Sequence, residues 1–234
     1  MKKKIRNILN KKRKSKIVSL TAYSKNIAEI LDKYCDIVLV GDSMANVLYG
    51  HKDTHKISLQ NIIQHTLSVK KGIKKSLLVV DMPKGSYSNK RLALKNARKI
   101  MNLTRCDAVK IESNNKNFSI IYELVKAKIP VMGHIGFTPQ FQKKFKIQGD
   151  SINAMNKLLK EALTIEKAGA FSIVLECLTP KASKLITNNL KIPTIGIGSS
   201  SNCDGQILVT DDMLGMSGFY PKFVKKYALL NRII

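Results

Sequence analysis

The stretch "IVLVGDSMANVLYGH" (37–51) decides the fold. Four apolar residues of strand type run straight into Asp42 and Ser43. One Asp after a strand is ordinary turn chemistry. The ending gains meaning because it recurs along the chain. Eight apolar runs are present: KIVSLTAY (16–23), DIVLVGDS (36–43), SLLVVDMP (76–83), AVKIES (108–113), PVMGHIG (130–136), SIVLECL (172–178), PTIGIGS (193–199) and QILVTDD (206–212). Segments of helix length separate most of them, such as SLQNIIQHTLSVKKG (58–72) and NKRLALKNARKIMNL (89–103). The second sets Leu92, Leu94, Ala97, Ile100 and Met101 at helical spacing.

Near-continuous apolar strands alternating with helices predict a parallel sheet covered on its outer face. Eight repeats predict a closed (β/α)8 TIM barrel, an α/β fold that 234 residues suffice to build as a single domain over 1–234. It carries a basic N-terminal segment (1–15). The connection from 199 to 206 is too short for a full helix. The segment FTPQFQKKFKIQGDSIN (137–153) is the longest loop-like insertion. It follows a strand, which places it on the face where barrel active sites are built.

Composition narrows the function classes. No apolar run approaches the roughly 18 residues of a transmembrane helix. The basic start lacks the continuous apolar core of a secretory signal. Cys35, Cys106, Cys177 and Cys203 are widely spaced, with neither zinc spacing nor a disulfide framework. These features predict reduced thiols, a cytoplasmic location and no membrane partner. Lys and Arg total 41 against 16 Asp and Glu, a formal charge of +25. Only six of the 41 are Arg, and the Lys are spread along the chain beside many Asn and Ile. Recognition surfaces favour Arg forks, and a single-strand binder interleaves aromatics. The charge therefore reads as compositional bias, with no nucleic-acid partner.

The polar strand ends carry the chemistry. The second run ends in Asp42-Ser43, the third in Asp81 and the sixth in Glu176; the fourth carries Lys110 and Glu112, and the fifth His134. A barrel brings all its C-terminal strand ends to one face, so these residues converge on one cavity. Side chains alternate along a strand, which puts Lys110 and Glu112 on one face of AVKIES and Val109 and Ile111 on the other. Asp42, Asp81 and Glu112 form an all-oxygen set suited to a hard divalent cation such as Mg²⁺. For each Asp alone, helix N-capping is the competing reading. A structural ion pair competes for Lys110 and Glu112, and a hydrogen-bonded barrel residue for His134. His51, His55 and His65 read as structural or solvated. The glycine-rich IGIGSS (195–200) has the look of a phosphate-binding barrel loop but lacks a following helix signature.

Nine stretches, in order and over nearly the whole chain, resemble the ketopantoate hydroxymethyltransferase family: LTAY (20–23), VLVGDSMANVLYGHKDT (38–54), HTLSVKKG (65–72), VVDMPKGSY (79–87), VKIES (109–113), VMGHIGFTPQ (131–140), IVLEC (173–177), IPTIGIGSSSNCDGQILVTDDMLG (192–215) and PKFVK (221–225). The resemblance implies a TIM barrel that transfers a hydroxymethyl group from 5,10-methylenetetrahydrofolate to 3-methyl-2-oxobutanoate on the route to pantothenate. It implies Mg²⁺ ligands at Asp42, Asp81 and Glu112, and oxo-acid contacts at Asp42, Ser43, Asp81 and Lys110. His134 falls at a position lining the pocket, and Glu176 at that of the proton acceptor. It also implies a homo-oligomer, often a decamer. Lys84, Ser113-Asn114 and Asp150 depart from the family pattern. The family continues beyond PKFVK, so a shortened C-terminal helical region is expected. The same barrel constellation suits a Mg²⁺-dependent lyase or mutase of the phosphoenolpyruvate mutase and isocitrate lyase type. Those enzymes use a catalytic Cys in a loop motif that this sequence does not contain.

Overall fold

The computed structural model describes residues 3–113, 117–142, 144–218 and 220–233. Asn114 and Lys143 lie outside the described residues. Eight strands, β1 (Ile17–Thr21), β2 (Ile37–Val40), β3 (Leu77–Asp81), β4 (Ala108–Glu112), β5 (Val131–Gly136), β6 (Ser172–Glu176), β7 (Thr194–Ile197) and β8 (Gly205–Leu208), pair in chain order into a closed barrel. Every pairing is parallel, and β1 closes on β8. The expected TIM barrel is the fold.

Helix α1 (Lys3–Asn10) precedes the barrel. Its outer layer holds α2 (Lys25–Leu31), α4 (Leu59–Gly72), α5 (Lys90–Thr104), α6 (Phe118–Lys126), α7 (Ile152–Lys167) and α8 (Pro180–Asn189), while the short α3 (Met44–Val47) and α9 (Thr210–Met213) contribute residues to the cavity at the strand C-termini. The long helices start where the sequence offers a cap. Ser58 and Asn61 form a reciprocal capping box on α4, the Asn89 side chain accepts from the Leu92 amide on α5, and Ser151 does the same for α7. As its length demands, the β7–β8 connection has no helix.

Strand alternation divides the apolar residues into two clusters. Val38, Val40, Leu78, Val80, Val109, Ile111, Ile135 and Ile173 pack outward against the helices. Ile37, Leu39, Leu77, Val79, Ala108, Met132, Val174 and Ile195 fill the barrel interior. Ile5 and Ile8 of α1 join that inner cluster, so the basic N-terminal segment seals the end of the barrel opposite the strand C-termini. Two of its cations are used internally. Lys12 Nζ lies 2.7 Å from Asp204 Oδ2 and donates to the Thr187 carbonyl at 2.8 Å, while Lys4 donates to the Ser76 carbonyl. The two isoleucines one turn apart are the structural signal within this basic segment.

At the same end, Asp32 accepts backbone N–H bonds from Lys75 and Ser76 at 2.8–3.1 Å. Burial works to raise its pKa, but the Ser76 and Lys75 amides outweigh it and hold the carboxyl below its ordinary value. A lowered folded-state pKa means stability present above the unfolded pKa of about 3.9 and lost as pH falls through the folded value. Asp32→Ala should therefore cost about 1–3 kcal/mol at neutral pH, the penalty for orphaned buried donors. The deficit should shrink in acid, as checked by urea unfolding at pH 7 and pH 3.

No disulfide forms among the described residues, and all four cysteines are buried. Among the described residues no helix is long and apolar enough to cross a membrane.

Candidate active site

The strand C-termini open into a cavity of about 860 Å³. Asp42, Ser43, Asp81, Lys110, Glu112, His134 and Glu176 all line it, so the fold brings together every site residue expected from the sequence. Strand register makes this possible. Asp81 pairs with Lys110, Glu112 with His134, and Gly136 with Glu176 across neighbouring strands. Lys110 Nζ meets Asp81 Oδ1 at 2.6 Å, and Asp81 Oδ2 accepts the Asp42 amide at 3.0 Å. Ser43 Oγ shares a 2.8 Å hydrogen bond with the Tyr23 hydroxyl. His134 lies between two acids, with Nδ1 3.7 Å from Glu112 Oε1 and Nε2 3.1 Å from Glu176 Oε2. Neither contact has hydrogen-bond alignment, so both ring nitrogens are buried without a partner.

The long loop after β5 covers the site. Gly136 makes the turn at φ +93°, where a Cβ would stand 2.2 Å from the Glu176 carbonyl oxygen. Phe137, Pro139, Gln142 and Phe145 then line the cavity. His51 and His55 also line its mouth, which the sequence had assigned to structural or solvated positions. His65 is structural, bonded to the Tyr23 carbonyl and the Tyr49 hydroxyl. Ile197 of IGIGSS lines the cavity, and the Phe223 ring packs against Gly198, where a Cβ would lie 2.5 Å from it.

The model of the family described as ketopantoate hydroxymethyltransferase matches residues 2–234. This chain belongs to that family. Among its relatives, the 3-methyl-2-oxobutanoate hydroxymethyltransferase of Pelagibacter ubique (strain HTCC1062) is 51% identical over 234 residues, covering 100% of this chain and 91% of the relative. That of Anaplasma marginale (strain St. Maries) is 46% identical over 98% of this chain and 84% of its own length. The chain is thus a hydroxymethyltransferase. Solved structures reproduce the fold at far lower identity. A phosphoenolpyruvate phosphomutase from Streptomyces platensis subsp. rosaceus aligns with a TM-score of 0.68 at 12% identity, covering 88% of this chain and 80% of its own. A phosphonopyruvate hydrolase complexed with oxalate and Mg²⁺ aligns at 0.66 and 11%, with the same coverage.

In this member of the ketopantoate hydroxymethyltransferase family, the site holds more carboxyl groups than cations. Asp42, Asp81, Glu112 and Glu176 line the cavity together with the Lys110 ammonium, and four of these five side chains are almost wholly buried. Burial, then repulsion from Asp81, raises Asp42 to about 7. Burial and Asp42 raise Glu112 well above the ordinary carboxylate range. Burial raises Glu176 to about 8, against the pull of Lys110. Burial and Lys110 hold His134 well below its ordinary value, so its imidazole is neutral. A cation would relieve this imbalance, and oxygen donors suit Mg²⁺. Among the described residues no three His, Cys, Asp or Glu side chains gather as a ready-made cage. Lys110 holds Asp81 Oδ1 and the Gln140 amide holds Glu112 Oε2. Mg²⁺ commonly takes one or two carboxylates and completes its shell with waters and substrate, so the donor set fits.

Gln140 escapes a reading of the sequence, because it falls within the loop rather than at a strand end. The Thr-Pro-Gln immediately after β5 was its only signal.

Proposed function

We propose that the enzyme transfers the one-carbon unit of 5,10-methylenetetrahydrofolate to 3-methyl-2-oxobutanoate, giving 2-dehydropantoate. The observation that carries this reading is the buried, acid-rich strand-end cluster around Lys110 in a member of this family. Asp42, Asp81 and Glu112 would hold Mg²⁺. Bound there, the ion would supply Lewis acidity toward the carboxylate and keto oxygens of the oxo acid, lowering the cost of charge on its enolate. Lys110 and Ser43 bind and orient the substrate. Glu176 accepts the C3 proton; its raised pKa makes it a stronger base than an ordinary carboxylate. Neutral His134, aligned with neither acid, has a ring N–H to offer the substrate. The enolate C3 then forms a bond to the folate-borne carbon, water supplies the hydroxyl, and tetrahydrofolate leaves. The enzyme works in the cytoplasm, as its cysteine usage suggests, and as a homo-oligomer, as its family resemblance implies.

The test is formation of 2-dehydropantoate from 3-methyl-2-oxobutanoate, tetrahydrofolate and formaldehyde, with loss on chelation and recovery on adding Mg²⁺. No product with all components present would sink the reading. A pH profile adds a second check. Proton abstraction needs ionised Glu176, so deuterium exchange at C3 should rise with pH and level off at or below about pH 8, because a nearby cation can only lower a carboxyl pKa. A profile falling over pH 6–8 would contradict a carboxylate base.

A further inference from the structure

Gln140 is about 1% exposed and makes four hydrogen bonds at and beside the site. Its backbone N–H donates to Glu112 Oε2 at 2.9 Å. Its side-chain Nε2 donates to Asp42 Oδ2 at 2.8 Å and to the Met82 carbonyl at 3.1 Å. Its Oε1 accepts from the Tyr87 hydroxyl at 2.6 Å. Only one orientation of the amide satisfies this set. The Met82 carbonyl can only accept, so the NH₂ must face it, and the oxygen is left for the Tyr87 hydroxyl, which can donate. Tyr87 is itself buried and pinned at the end of the loop after β3.

We propose that Gln140 is the positioning residue of the metal site: its side chain aims Asp42, its main chain aims Glu112, and Tyr87 locks the amide that does so. The inference rests on the Mg²⁺ assignment made above. Two carboxylates from different strands repel one another and would swing apart if each were held only by its own rotamer. A single residue donating to both fixes their separation, and it leaves the second oxygen of each carboxylate for other partners. Partners that orient metal ligands in this way typically account for about 10–100-fold in metal affinity or activity.

The experiment is titration calorimetry of the full chain with Mg²⁺ alone, alongside thermal melting without metal. Gln140→Met keeps the volume and the backbone donor but removes the bond to Asp42, and should weaken Mg²⁺ binding about 10–100-fold. Tyr87→Phe removes one hydroxyl and should weaken it about 2–10-fold, the span of one lost hydrogen bond. In the double variant the Tyr87 change should cost nothing further, since the amide it locks is gone. A merely structural Gln140 would lower the melting temperature and leave Mg²⁺ affinity unchanged, and that outcome overturns the proposal. If Gln140→Met does not fold, Tyr87→Phe decides: unchanged affinity overturns it. Wild-type protein that fails to bind Mg²⁺ would remove the metal assignment and this inference together, a result distinct from variants that match a binding wild type.

Discussion

Glu176→Gln is expected to slow deuterium exchange at C3 of 3-methyl-2-oxobutanoate by about 10²–10⁴-fold, the usual contribution of a positioned general base. Glu176 ends β6 at the cavity and faces His134 at 3.1 Å. Exchange isolates the proton step because it requires no folate. Glutamine keeps the shape and can still hydrogen-bond, yet it cannot take a proton. The substitution also removes one of four carboxyl groups from a site already rich in them, so the fold should not suffer. Binding of the oxo acid should survive, since Ser43 and Lys110 remain. Proton NMR of the C3 signal in D₂O gives the rate. Exchange at the wild-type rate, with the full transfer lost, would move Glu176 from the role of base to a later step.

Asp81→Asn is expected to abolish the stabilisation that Mg²⁺ and the oxo acid confer on the wild-type protein. A ligand that binds only the folded state adds about 2.7 kcal/mol at 100 times its dissociation constant. Asp81 spans two roles, pairing Lys110 through Oδ1 and receiving the Asp42 amide through Oδ2. Its charge is what a cation would use. Loss of a direct ligand should exceed the about 10–100-fold typical of outer partners. Two effects oppose each other in the metal-free protein. Lys110 loses the charge of its partner, which is costly for a buried ammonium, but Asp42 and Glu112 remain near it and the repulsion of Asp42 by Asp81 is gone. Melting without metal should therefore move little, while the metal-dependent rise disappears. Differential scanning with and without Mg²⁺ and oxo acid reads both. A variant stabilised as much as wild type would remove Asp81 from the metal site.

Seven of the eight strands lie within the apolar runs read from the sequence, and β8 starts one residue before its run, for a physical reason. A strand in a closed parallel barrel packs on helices outside and on other strands inside, so both of its faces are apolar and it stands out from the amphipathic helices between. The departures from that pattern were equally visible. Lys110 and Glu112 interrupt the inner face of β4 while Val109 and Ile111 keep the outer face apolar. Closure then determines that strand-end residues from distant parts of the chain meet at one rim.

What the sequence by itself determined was therefore local: the alternation, the caps at Ser58 and Asn89, and which residues end the strands. Tertiary structure decided the rest. It placed α1 under the barrel, where Ile5 and Ile8 complete the inner core. It packed the Phe223 ring against Gly198. It set Gln140 against Asp42 across 98 residues of chain, and Tyr87 against Gln140 across 53. Periodicity reports only the environment a residue shares with neighbours a few positions away. Contacts between loops depend on the path of the chain after each strand ends, and the carboxyl pKa values depend on the burial and charge those contacts create.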